Sequence, residues 1–508
     1  MYSHRSTLLS ALLLIFALQL SGSPSTYFVS LGGNDSNPGS ETQPFATIQK
    51  AVDVAVAGDT VFVRGGTYSL TATISISKSG TTEACYTLKS YPGERAILDF
   101  SGQAMGGSNR GFMISGSYWH IEGFDITGAG DNGMKIDEGV HNRIINCAFY
   151  RNRDSGLQMG SGASYNEVIN CDSYYNADPT DYGDADGFAA KLDVGVENYF
   201  YGCRAWKNCD DGWDGYLRGT DNASTILENC WAFENGYLED GTDPGSQANG
   251  NGFKMGGSDD KTLSHDFTLK NCLSFDNKAK GFDQNSNMGS MILYNCTGYN
   301  NLAGNYVIYK ELADGKVLII KNSLALGETG NLADFAVQAT NGWLAPFEVT
   351  ADDFLSIDEN EAYSSRKSDG SLPNITFMHL KEGSDLIDAG TDVGLTYYGT
   401  APDLGCFESG EPETSGIKAP VFEALGKAFP NPASYYTTIP VTADAGVPVS
   451  VSLFDLSGRL LFTVNEDSQD GNVRYIELPL SEVKDGLYIY RIFTGKILRG
   501  QGKIVVKK

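Results

Sequence analysis

Between Asp184 and Lys254 the chain reads DADGFAAK, then NCDDGWDGY, then NGNGFKMGG. Each block carries a glycine followed by a large apolar residue: Gly187-Phe188, Gly212-Trp213 and Gly252-Phe253. Asp186 and Asp211 directly precede their glycines, and Asp210 lies one residue further back. Asp214 follows its glycine by two residues, and so does Lys254. If the blocks are equivalent turns of one stacked structure, four carboxylates and an amine meet on one outer face. Uncompensated carboxylates at such spacing repel and raise each other's pKa. A hard cation with oxygen ligands relieves the conflict, and calcium (Ca2+) suits a loose set of acids. Asp186, Asp210, Asp211 and Asp214 are therefore the candidate metal ligands. The plainer alternative is a solvated, Asp-rich turn. An EF-hand is excluded, because the acids come from separate blocks.

Lys254 takes the slot that Asp214 holds one block earlier. A lysine acts as a base once its pKa falls, and nearby cations lower it. The matching reaction removes a proton next to a carboxylate, as at C5 of a uronate, after which the C4–O glycosidic bond breaks. A lysine that merely pairs with Asp214 is the competing reading. Lys191 is a second outward lysine near Asp186, expected to support the site or contact substrate. Trp213, Tyr216 and Arg218 belong to the same stretch and are expected substrate contacts.

Positioning these residues needs a repeat. From about residue 86 to 330, short apolar strands alternate with Gly, Asn and Asp turns, as in NRIINCAFY, NEVINCDSYY, STILENCWAF and SMILYNCTGY. Cys147 to Cys171 is 24 residues, and so is Cys272 to Cys296, with steps of 32, 27 and 42 between. A period in the twenties with insertions on one side predicts a parallel β-helix. Its coils stack about 4.8 Å apart, with side chains alternating inward and outward. A leucine-rich or other solenoid is the alternative, and it lacks support because the repeats show no helical period. The recurring INC, ENC, KNC and YNC contexts give the cysteines one repeated inward position rather than disulfides. Asn146, Asn170, Asn229, Asn271 and Asn295, each before a cysteine, are expected to form a hydrogen-bonded ladder.

The ends have their own character. Residues 1–25 read as a signal peptide, with His4 and Arg5 before LLSALLLIFALQL and then SGSPS. No later stretch is long and apolar enough to cross a bilayer. Residues 26–68 give a strand, a glycine-rich loop, a helix with Ile48, Ala51, Val52, Ala55 and Val56 on one face, and another strand. This opening resembles that of secreted right-handed parallel β-helices, where the helix caps the open core. Residues 331–410 read as the last coils and a closing segment, 411–420 as a linker, and 421–508 as a small β-sandwich. The formal charge of −26 disfavours nucleic acid as a partner. It admits an acidic sugar polymer if a divalent cation bridges carboxylate to carboxylate.

DADGFAAK with NCDDGWD and NGFKMGG resembles family nine of the polysaccharide lyases, the calcium-dependent pectate lyase type, over roughly residues 26–410. The resemblance implies an all-β chain built on a right-handed parallel β-helix of about ten coils. It also implies Asp186, Asp210, Asp211 and Asp214 as calcium ligands and Lys254 as the Brønsted base. The implied activity is β-elimination of homogalacturonan or rhamnogalacturonan I, with loops at 176–185 and 236–250 deciding between them. FPNPA, LFDLSGRLL, GLYIYRI and KIVVKK resemble the sorting domain of the type IX secretion system of Bacteroidota. The implied setting is a secreted or surface protein, acting as a monomer on acidic plant cell-wall polysaccharide and exported by that machinery. A carbohydrate-binding sandwich is the alternative for this end. For the whole chain the rivals are a β-helix hydrolase using paired acids, a uronan epimerase, and a non-catalytic adhesin. Unsaturated, calcium-dependent products separate the lyase from all three.

Overall fold

The computed structural model describes residues 24–410 and most of 428–508, apart from 429, 444–448, 455–459, 467–471, 482 and 495–496. The expected linker lies wholly outside the described residues, and the expected signal peptide almost wholly so. Every strand between residues 26 and 339 pairs in parallel with the strand one coil before or after it. Three sheets result, of twelve, ten and ten strands. The first runs from Thr26–Val29 to Val337–Ala339, the second from Ile74–Ile76 to Gly330–Leu332, and the third from Gly66–Ser69 to Leu324–Leu326. Each coil contributes one strand to each sheet, which makes about ten coils.

Inward positions form continuous columns. In the first sheet Ile121, Ile144, Val168, Phe200, Leu227, Leu269 and Leu293 stand in register. In the second, Phe188, Trp213, Phe253, Phe282 and Tyr306 stack with centroids 4.8–5.2 Å apart. Such offset aromatic stacks add to the burial term. The glycine before each of the first four has a steric reason. At Gly212 a Cβ would meet the Gly252 carbonyl oxygen at 2.6 Å. All nine cysteines are free, and Cys147, Cys171, Cys203, Cys230, Cys272 and Cys296 are buried. The Cys147 amide points at Cys171 Sγ at 3.4 Å, so the thiols do stack from coil to coil.

The asparagine ladder is elsewhere than expected. Asn146, Asn170, Asn229, Asn271 and Asn295 have φ of 51 to 54°. They turn the corner before each cysteine in the left-handed region that asparagine tolerates. The ladder is built two residues past the end of each third-sheet strand. Asn152 Nδ2 donates to Asn176 Oδ1 at 2.9 Å, and the same bond repeats through Asn208, Asn235, Asn277 and Asn301 at 2.8–3.0 Å. These buried amides also donate to carbonyls of preceding coils, which keeps their polar atoms satisfied.

The helix spans Ile48–Val54 and buries Ile48, Ala51 and Val52; Thr47 caps it by accepting the Lys50 amide at 3.2 Å. Ala55 is buried just past its end, whereas Val56 is exposed and leaves the apolar face. Residues 340–410 add no further coil. They return over the outer face of the third sheet, where Phe354, Phe377, Leu380 and Leu404 pack on Trp206, Phe233, Phe275 and Leu324. Arg366 and Arg204 close on Asp172 from either side at 2.6 and 2.9 Å. The C-terminal part is antiparallel: Tyr436–Ala443 pairs with Asn472–Pro479, and four strands follow the order Leu460–Glu466, Val449–Phe454, Gly486–Thr494, Ile497–Val506. Ile439, Val451, Leu453, Ile476 and Ile492 form its core.

Candidate active site and metal centre

Two outward rows on the second sheet build the site. Residues just before the coil glycine give Ser155, Asp186, Asp211, Asn251 and Lys280 on successive coils. Residues two past it give Gln158, Ala189, Asp214, Lys254 and Asp283, paired in register. Lys254 thus fills the slot of Asp214 one coil on.

Carboxylate oxygens of Asp186, Asp211 and Asp214 lie within 4.8 Å of one another. All three residues are buried. Two lysines bracket them. Lys191 Nζ is 2.7 Å from Asp186 Oδ2 and 3.4 Å from Asp214 Oδ2. Lys254 Nζ is 3.0 Å from Asp211 Oδ2 and 3.4 Å from Asp214 Oδ1. Backbone and amide groups orient the acids. Asp214 Oδ1 accepts the Tyr216 amide at 2.9 Å. Asp211 Oδ1 accepts the backbone and side-chain amides of Asn251 at 2.7 and 2.8 Å. Asp186 Oδ1 accepts the Asp211 amide at 3.2 Å, and its Oδ2 accepts Ser155 Oγ at 3.2 Å. Asp210 does not join the three. It stands beside them with Oδ1 accepting the Asn249 amide at 2.5 Å.

Burial raises the Asp186 carboxyl well above its ordinary value; Lys191 opposes the shift and the other acids add to it. Burial, then Asp210, pushes Asp211 up to about 7. For Asp214 burial also works upward, but Lys254 and Lys191 outweigh it and hold the group down. Burial disfavours the Lys254 ammonium, yet Asp211 and Asp214 outweigh burial and hold its pKa well above the usual lysine range. Without a metal, this amine is a bound cation. Four acids and two amines leave two formal negative charges, which one divalent cation neutralises. Asp211 Oδ2 is buried and has the Lys254 ammonium, at 3.0 Å, as its ion-pair partner. An oxygen-only donor set of three buried carboxylates fits a hard divalent ion.

The remaining predicted contacts divide. Tyr216 is at the site, its ring centroid 5.7 Å from Lys254 Nζ and its hydroxyl donating to Asp259 Oδ1 at 2.6 Å. Arg218 is exposed on the rim, 5.7 Å over the Tyr216 ring. Trp213 is no substrate contact. It belongs to the interior aromatic column between Phe188 and Phe253, because the residue after the glycine points inward. Ser155, Asn249 and Asn251 were missed. Ser155 and Asn251 have a signal in the sequence, since they occupy the same slot as Asp186 and Asp211. His265 was also missed; it is buried, with Nδ1 2.8 Å from the Gly215 carbonyl and Nε2 2.9 Å from Thr225 Oγ1. A carbonyl only accepts, so Nδ1 carries the proton and pins the backbone next to Asp214.

Likeness to known proteins places this three-sheet β-helix, with its carboxylates and lysines on one outer face, among the polysaccharide lyases of the β-helix class. Residues 27–323 match the family described as Pel9A-like, right-handed β-helix region, and the chain belongs to that family. It is 37% identical over 394 residues to pectate lyase L of Dickeya dadantii (strain 3937), covering 75% of this chain and 90% of that one. Pectate lyase L of Paenibacillus polymyxa (strain SC2) is 38% identical, over 72% of this chain and 84% of its own. The crystal structure of pectate lyase Pel9A superposes with a TM-score of 0.70 at 35% identity, covering 76% of this chain and 97% of that one. A rhamnogalacturonan lyase gives 0.62 at 27% identity, covering 70% and 97%. Residues 427–507 match the secretion system C-terminal sorting domain, which makes the protein a type IX secretion substrate, secreted or surface-held as in Bacteroidota. Among the described residues no helix is long and apolar enough to cross a membrane.

Proposed function

We propose that this lyase cleaves galacturonate-containing pectic polymers by calcium-dependent β-elimination, with Lys254 as the base. Asp186, Asp211 and Asp214 would hold the ion, with Asp210 as a fourth donor. The observation that carries the reading is the placement of Lys254 Nζ, 3.0 Å from Asp211, at the edge of a buried triple-carboxylate cluster. The relatives are named for pectate and rhamnogalacturonan, and galacturonate is the residue common to both polymers. When bound, calcium supplies positive charge that offsets the carboxylates and polarises the uronate carboxylate.

The chain's own groups do the rest. Lys254, no longer outnumbered by free carboxylates, reaches the neutral form and takes the C5 proton. The C5–H electron pair becomes the C4–C5 double bond as the C4–O bond breaks. The departing oxygen takes a proton from solvent. Lys191, locked by Asp186 and Asp214, holds those acids in place. Tyr216 and Arg218 on the rim are the proposed substrate contacts. The test is ultraviolet absorbance of unsaturated uronate ends on polygalacturonate and on rhamnogalacturonan I, with calcium and with chelator. Calcium-dependent absorbance on either polymer supports the reading. Cleavage in chelator without a double bond would replace it with hydrolysis.

A further inference from the structure

The insertion at 236–250 lies beside the site, and its fastening is specific. Both ends are tied to one short segment of the next coil. The Lys278 amide donates to the Asn235 carbonyl at 3.0 Å, and the Ala279 amide to the Gly250 carbonyl at 2.8 Å. The neck is pinched at Gly236 and Gly250, with φ of +89° and +74°. A Cβ at either would lie 2.6–2.7 Å from Lys278 Cβ, so only glycine fits. The Lys278 side chain then reaches into the loop. Its Nζ donates to Asp243 Oδ1 and the Gly245 carbonyl, both at 2.6 Å, and to the Ala248 carbonyl at 3.3 Å. At the tip, Arg151 holds Glu239 through two bonds of 2.8 and 2.6 Å.

The loop's last residues are the ones that orient the acids. Asn249 donates to Asp210 through its backbone and its side chain, and Asn251 does the same for Asp211. Lys278 bonds the carbonyl of Ala248, the residue next to Asn249. We infer that Lys278 is a positioning residue for the metal site, acting through this loop: it fixes Asn249 and Asn251, which hold Asp210 and Asp211. Its effect is on ion affinity rather than on the proton transfer, since it touches neither the carboxylates nor Lys254.

This inference rests on the proposed calcium site, and one experiment separates the two. Calcium binding is measured by titration calorimetry on the full chain for the wild type, Lys278→Met and Lys278→Arg, with hydrogen exchange of residues 236–251 followed in parallel. Outer-shell partners of a metal site are typically worth about 10- to 100-fold in affinity. Lys278→Met is expected to weaken calcium about tenfold and to speed exchange in the loop. Activity at saturating calcium should change by less than about threefold, because the base is untouched. Lys278→Arg should recover most of the affinity. Asp243→Asn, at an exposed position, removes one anchor without risk to the fold and should show a smaller loss in the same direction. Wild-type binding with equal binding by Lys278→Met and Asp243→Asn would overturn the role of the clamp alone. A wild type that takes up no calcium would overturn the metal site and this inference with it.

Discussion

At the scale of the residue, the two buried lysines look alike and are predicted to behave differently. Each contacts two of the clustered carboxylates. Lys191 also donates to the Asp184 carbonyl at 3.2 Å, so it is fastened at three points. Lys254 has Tyr216 on its open side instead. Lys254→Ala is expected to lower turnover at saturating calcium by about 10²- to 10⁴-fold, the usual worth of a general base, while polymer binding persists. Lys191→Met should instead raise the calcium needed for half-maximal rate, read from rates across a calcium series. Near-normal turnover by Lys254→Ala would end its assignment as base. The triad itself was legible in the sequence, because glycine and the residue after it mark the phase of each coil. Asn251 carries the same mark, since it stands just before its coil's glycine. Asn249 comes from a loop whose path no period announces, so what holds Asp210 was not legible. Trp213 went astray for a simple reason: in a strand the neighbour of an outward Asp points inward.

At the scale of the element, one column of side chains carries each row of strands. The Asn152 to Asn301 ladder repeats at aromatic-x-Asn, as in YRN, YYN, WKN, FEN and FDN. That pattern was as visible as the Asn-Cys pairs, but the two positions differ in backbone. The asparagine before each cysteine turns a corner, while the ladder asparagine points in. Asn235→Ala removes a buried amide that bonds the coils on both sides. It leaves partners unsatisfied, for about 1–3 kcal/mol, to be read from denaturant midpoints. Residues 331–410 read as the last coils and a closing segment, and the strand Val337–Ala339 is followed by the return segment. Its docking depends on Asp172, whose carboxyl burial pushes up, while Arg366 and Arg204 outweigh that and hold it well below the usual carboxylate range. Asp172→Ala leaves both guanidinium groups without this partner and is expected to cost about 3–5 kcal/mol. Proteolysis within 340–410 should become faster in that variant.

At the scale of the whole molecule, a parallel β-helix stacks each coil on its neighbours, so stability is shared along its length. Acid should loosen it through histidines spread over that length. Burial lowers His120, His265 and His379 from 6.5 to about 4. The sign follows from linkage. Above pH 6.5 these groups are neutral both folded and unfolded and contribute nothing. Between pH 6.5 and 4 the unfolded chain takes up protons that the folded chain refuses, so stability falls as pH falls. Below about pH 4 the loss levels off. For His265 alone the full loss is on the order of 3 kcal/mol. His265→Gln keeps a polar side chain near Gly215 and Thr225 but cannot titrate. It is expected to lower the melting temperature at pH 7 by giving up the contact of the imidazole with Phe267, whose ring centroid is 4.3 Å away. Between pH 6.5 and 4 its melting temperature should then fall less steeply than that of the wild type, so the two curves converge. Parallel curves over that window would show that His265 takes up its proton in the folded protein as readily as in the unfolded chain.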